Sequence, residues 1–164
     1  MRQSKCLIRF GEVERSMTIR PATSTDINVL SELMIHSIRE TNFKDYSAED
    51  LELTYQNFTP AKVEEKMQVR DMFVYEREGN IIGTISLEGD VLHSLFVMPS
   101  LQGEGLGKLL VQHVLSLAKT RGLEIVRLSS SITAKPFYER LGFSVVEFEE
   151  RTFGSTWLME RSLS

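Results

Sequence analysis

Residues 95–110 read LFVMPSLQGEGLGKLL, and the fold is read outward from them. An apolar, β-type run (Leu95, Phe96, Val97) meets Pro99, then a loop punctuated by Gly103, Gly105 and Gly107, then an amphipathic helical pattern. Glycines let a backbone turn tightly and leave its N–H groups unobstructed by side chains. At a helix start those N–H groups are unpaired and lie at the positive end of the dipole. The combination suits a phosphate or pyrophosphate. A P-loop requires G-x-x-x-x-G-K-[ST], whereas Gly103 to Gly107 is too short and Leu109 follows Lys108. A dinucleotide fingerprint requires G-x-G-x-x-G, and the spacing here is G-x-G-x-G.

Two stretches carry a better match. Val97-x-Pro99 followed by Gln102-Gly103-Glu104-Gly105-Leu106-Gly107 resembles the Q/R-x-x-G-x-G/A loop of the GNAT superfamily of acetyl-CoA-dependent N-acyltransferases. Ala134-Lys-Pro-Phe137-Tyr138-Glu-Arg-Leu-Gly142-Phe143 resembles that family's A-x-x-F-Y-x-x-x-G-F segment, in the right order and at about the right distance. The likeness, to small single-domain bacterial members, covers roughly residues 17–162, and its specific part lies within 95–143.

The bulk composition sets bounds. At 164 residues and 41% apolar content, the chain has room for one domain with a sizeable core. A net charge of −4 argues against nucleic acid or an anionic membrane as the main partner, and the longest apolar runs are too short to span a bilayer. The single cysteine, Cys6, excludes an intramolecular disulfide and fits a reducing cytoplasm. His36, His93 and His113 fall on different elements without ligand spacing, so no metal site is expected.

Taken in order, the segment 17–26 resembles the usual opening of the family, which implies an acetyltransferase domain over 17–164 preceded by an N-terminal extension over 1–16, where 5–10 reads as a strand. A short strand over 18–20 ends at Pro21, and Ser24, Thr25 and Asp26 supply N-cap chemistry. Ile27, Leu30, Leu33, Met34 and Ile38 make the apolar stripe of a helix reaching about Arg39. Ser47 opens a second helix with a capping box, and Thr59-Pro60 opens a third. Strands over 72–76, 81–87 and 91–97 are joined by two tight hairpins. The helix after the glycine loop ends at Gly122, and a strand over 124–129 is reached through it, so that strand runs parallel to 91–97. A short helix over 133–141 and a hairpin of 143–150 with 155–161 complete the chain. The class is α/β (α+β), a mixed, mainly antiparallel sheet flanked by helices. The resemblance adds a splay of the two parallel strands at the cofactor site, often at a bulge.

The resemblance implies acetyl-CoA as cofactor and direct transfer to a primary amine, with a small molecule favoured over a protein lysine or N-terminus. It places Gln102, Gly103, Glu104, Gly105, Leu106, Gly107 and Lys108 around the pyrophosphate. Leu95, Phe96 and Val97 lie beside the pantetheine arm, with Phe96 and Val97 offering backbone partners. Tyr138 is the candidate proton donor to the departing thiolate. Ser131 stands where relatives often carry Asn, and its reach toward the cofactor is shorter. His93, on the face of Val91, Leu95 and Val97 by period-two alternation, is the candidate base. Glu88 and Asp90 are alternatives, as is water alone. Segments 42–46 and 153–157 fall where relatives build the acceptor groove; Tyr46 reads equally as a groove or a core aromatic, and Trp157 reads rather as a core aromatic. Related members often pair through their last strands, which implies a homodimer. Two other readings are a non-catalytic acyl-CoA-binding module and a nicotinamide oxidoreductase; the wrong glycine spacing opposes the second.

Overall fold

The computed structural model describes residues 6–8, 15–42, 47–150 and 155–164. Its strands are β1 (Cys6–Ile8), β2 (Arg15–Pro21), β3 (Asp71–Arg77), β4 (Asn80–Glu88), β5 (Val91–Val97), β6 (Ile125–Ser130), β7 (Ser144–Glu149) and β8 (Thr156–Ser162). Its helices are α1 (Ile27–Asn42), α2 (Ala48–Tyr55), α3 (Pro60–Val69), α4 (Leu106–Thr120) and α5 (Lys135–Arg140). Among the described residues the strands form one sheet in the order β1-β2-β3-β4-β5-β6-β8-β7. All neighbours are antiparallel except β5 and β6. This is the mixed, mainly antiparallel sheet that the pattern predicts. The chain's last strand, β8, pairs with β6 and pushes β7 to the edge.

Local chemistry explains the element boundaries. Ser47 accepts a hydrogen bond from the Asp50 N–H and Thr59 from the Lys62 N–H, each relieving an orphan donor at a helix start. Pro60 occupies the first turn of α3, where its missing N–H costs nothing. Asp26 accepts from the Thr23 N–H and is gripped by both terminal nitrogens of Arg20, which also reaches Glu76. That network ties the entry of α1 to β2 and β3.

Two apolar layers sandwich the sheet. On one face α4 lays Leu106, Leu110, Val111 and Val114 against Ile85, Leu87, Leu92, Val126, Leu128 and Met159. On the other, Leu30, Leu33 and Met34 of α1 and Val63 of α3 cover Met72, Val74 and Ile81. Leu110 is fully buried and its Cδ1 lies 3.0 Å from where a Cβ on Gly83 would sit. Truncating such a side chain costs about 2–5 kcal/mol.

Candidate active site

The site begins with a misfit between two strands. β5 and β6 pair at Val91↔Arg127 alone, where the Arg127 N–H donates to Asp90 O at 2.8 Å. Beyond that point they part. The cause is visible in β5: between the pairs Ser86↔His93 and Thr84↔Phe96, the two residues Ser94 and Leu95 face only Ile85. This β-bulge bends the strand and raises its twist. Ser94 sits at φ +53, a left-handed conformation that costs a non-glycine residue about 1–2 kcal/mol, and its hydroxyl lies 3.4 Å from Arg70 Nη1. The expected splay and bulge are therefore both present.

The bulge also corrects the placement of His93. Strict alternation put it on the face of Leu95 and Val97. The extra residue reverses the parity, so Leu92, Leu95 and Val97 pack together against the α4 layer while Phe96 and Met98 join the α1–α3 layer. His93 therefore shares the face of Phe96. Its Nε2 is 3.6 Å from Glu88 Oε2. Burial, with the nearby cations Arg70 and Lys66, holds its pKa below the ordinary histidine value despite Glu88, which favours the neutral imidazole at neutral pH.

Ladder alternation settles which backbone groups face the gap. Met98 N–H donates to Ile82 O at 2.8 Å, so the next hydrogen-bonded pair is Phe96 with Thr84, and Val97 lies between. The N–H and C=O of Val97 thus turn away from β4 toward the opening. Its carbonyl is met by Ser37 Oγ and Gln102 Nε2, both at 3.4 Å. Phe96, expected to offer backbone partners, spends its backbone on β4 and contributes its ring, which stands edge-on to Phe58 at 5.5 Å.

At the end of β5, Pro99–Leu101 makes a 3-10 turn, and Gly103 and Gly105 take φ +89 and +83, conformations open to glycine at little cost. The first backbone bond into α4 is Leu109 N–H to Gly105 O at 3.2 Å, so the N–H groups of Leu106, Gly107 and Lys108 precede the ladder. Leu106 is anchored in the core and Lys108 is exposed. A Cβ on Gly107 would meet Phe137 Cζ at 3.3 Å, so that glycine lets α4 and α5 approach. Glu104, in the glycine loop, is held by Arg77 Nη2 at 3.3 Å. Arg77 Nε is buried with no hydrogen-bond partner.

Tyr138 faces the α4 layer, edge-on to Phe137 at 5.0 Å and Phe143 at 5.8 Å. Burial pushes its phenol well above the ordinary tyrosine value, so it stays protonated. Ser131 accepts from the Ala134 N–H at 3.1 Å, a local cap on the turn into α5. Tyr46 lies outside the described residues. Trp157, on β8, packs with Phe148 at 4.6 Å and with the apolar layer, as a core aromatic does. Among the described residues no cluster of His, Cys, Asp or Glu could hold a metal, and no helix is long and apolar enough to cross a membrane.

Sequence reasoning missed Arg77, Ser37, Lys66 and Arg70. The first two carry no motif. The other two, with Lys62, recur every four residues along α3, a spacing that aligns them on one helix face.

The unpaired N–H groups at the start of α4 can meet a phosphate, and the Val97 N–H and C=O facing the β5–β6 opening can meet an amide-bearing chain. The comparisons agree. The model of the acetyltransferase (GNAT) domain matches residues 42–160. The peptidyl-lysine N-acetyltransferase YjaB of Salmonella typhimurium is 38% identical over 64 residues, covering 39% of this chain and 43% of that protein. The glucosamine 6-phosphate N-acetyltransferase of Trypanosoma brucei brucei is 32% identical over 94 residues, covering 51% and 64%. The chain thus spans roughly half the length of these two relatives. Among solved structures, a GCN5-related N-acetyltransferase from Rhodopseudomonas palustris superposes with a TM-score of 0.82 at 23% identity, covering 88% of this chain and 94% of that one. The PaiA N-acetyltransferase of Thermoplasma acidophilum, in complex with coenzyme A, gives 0.78 at 23% identity, covering 90% and 99%. With the family model matched across the site and most of the sheet, this chain belongs to the GNAT acetyltransferase family.

Proposed function

We propose that the protein moves an acetyl group from acetyl-CoA directly to a primary amine on a small molecule. One observation carries the reading: β5 and β6 part after one pair, leaving the Val97 backbone facing the opening beside the glycine loop. When bound, acetyl-CoA supplies an acetyl group activated as a thioester. The bare N–H groups between Gly103 and Lys108 hold its pyrophosphate. Arg77 offsets the charge of Glu104 at that loop. The Val97 N–H donates to the pantetheine arm or to the oxygen that gains charge during transfer. Tyr138 donates a hydrogen bond to the sulfur as the carbon–sulfur bond breaks, and the thiolate takes its proton from solvent; the raised pKa of the phenol suits it to that role better than to releasing its proton outright. Neutral His93, on the opposite face, accepts the amine proton directly or through water.

Titration calorimetry with acetyl-CoA, against NADH and ATP, tests the cofactor assignment. Selective acetyl-CoA binding followed by amine-dependent thiol release is the expected result; a folded sample that ignores acetyl-CoA overturns the reading. Acetyl-CoA binding without release from any amine points instead to the acyl-CoA-binding module. Relatives named peptidyl-lysine N-acetyltransferases, at 38% and 32% identity, support a second reading in which the amine is a protein lysine. For assembly, Val145, Val146 and Phe148 lie exposed on edge strand β7 and support pairing of two copies there. For location, the lone Cys6 supports the cytoplasm.

A further inference from the structure

On the α3 side of the bulge the surface is cationic. Lys62, Lys66 and Arg70 occupy successive turns of α3 and its C-cap; Arg70 reaches the Ser94 hydroxyl at 3.4 Å, and Lys66 lies over Phe58, which abuts Phe96 on the face of His93. Two of the three cations are matched: Lys62 lies 3.1 Å from Glu65 and Arg70 lies 3.2 Å from Glu88. Lys66 has no carboxylate within ion-pair distance among the described residues. Its ammonium donates to Asn57 O at 2.6 Å and lies 3.9 Å above the Phe58 ring, which itself abuts Phe96. Half-buried and repelled by Arg70 and Lys62, this ammonium has its pKa pulled down to about 8. A cation destabilised by burial and like charges is relieved by an incoming anion. The surplus positive charge sits on the face that His93 shares, beside the opening where an amine would meet the thioester.

We propose that the acceptor is a small amine carrying a carboxylate or phosphate, whose anion is received by Lys66 and Arg70 while its amine is directed toward His93. This rests on the acetyl-transfer reading above and adds the substrate class. It sets polyamines and aminoglycosides apart, because their extra cations would meet this patch with repulsion.

The test compares matched amines: phosphoethanolamine against ethanolamine, and leucine against leucinamide. The anionic member of at least one pair is expected to show kcat/KM at least tenfold above its neutral partner. Arg70→Gln and Lys66→Gln should each shrink that ratio through KM, with acetyl-CoA affinity unchanged, and Arg70→Lys should restore much of it. Preference for the neutral members or for spermidine overturns the proposal, as does a ratio indifferent to both variants. Binding is read independently from the 13C resonance of dimethylated Lys66, whose titration midpoint should rise when phosphoethanolamine is added. No rise, with or without turnover, overturns the anion pocket. A rise without acetyl-CoA binding supports the pocket and removes the transfer reading, so the two failures are distinct.

Discussion

The two sides of the gap between β5 and β6 are built by different means. On the α4 side the groups proposed to act are backbone N–H donors, a glycine loop and one phenol embedded in the apolar layer. On the α3 side they are side chains, Lys66 and Arg70 from α3 and its C-cap and His93 from β5, with Lys66 over the Phe58 ring that abuts Phe96. On the proposed reading, backbone donors recognise what every acyl-CoA shares, and they are fixed by helix geometry whatever the neighbouring side chains. Side-chain charge, in the same proposal, recognises what differs between acceptors, and it can vary without disturbing the sheet. The bulge at Ser94–Leu95 makes this division, because it sends His93 to one face and leaves Leu95 and Val97 on the other.

Substitutions on each side should therefore separate turnover from cofactor binding. The largest effect is expected from Tyr138→Phe, which should lower kcat roughly a hundredfold while acetyl-CoA still binds; unchanged turnover removes the phenol from the chemistry. Gly105→Val forces a β-branched residue to φ +83 and should weaken acetyl-CoA about tenfold by calorimetry, in line with about 1–2 kcal/mol of strain. An unaltered isotherm would show that the loop does not bind through its backbone.

The acceptor side is checked by pH. His93 takes a proton only when neutral, so kcat/KM should rise with pH through a midpoint below the ordinary value of 6.5. Arg70→Gln, by removing a cation, should move that midpoint upward, and His93→Gln should abolish the step at a loss of roughly tenfold in rate. A profile identical in wild type and His93→Gln assigns the base role to water. Arg77→Gln should reduce acetyl-CoA affinity only about threefold, the scale of a partly exposed charge contact. The smallest effect is expected from deleting residues 1–16. The β2–β3 ladder begins at Met17↔Arg77, whereas residues 15–16 pair only with β1, so one cooperative melt should persist. An insoluble or non-cooperative product would show that the extension belongs to the core.

Much of this was legible from the chain. The 3.6-residue stripe of α1 gave its buried face, and Leu30, Met34 and Ile38 are buried. Gly103, Gly105 and Gly107 located the loop because a bare backbone can be written only with glycine. Period-two alternation failed at His93 because one inserted residue reverses every side chain beyond it, and nothing in VLHSLFV marks Ser94 as that residue.

The sequence by itself determined the elements, their order and the glycine loop before α4, since helix periodicity, caps and glycine conformations act over a few residues. Only the tertiary structure decided that β8 enters the sheet between β6 and β7, that β5 and β6 separate after one pair, and that Lys66 and Arg70 share a face with His93. Those outcomes depend on contacts between residues tens of positions apart, where register and a single bulge, rather than local propensity, set what meets what.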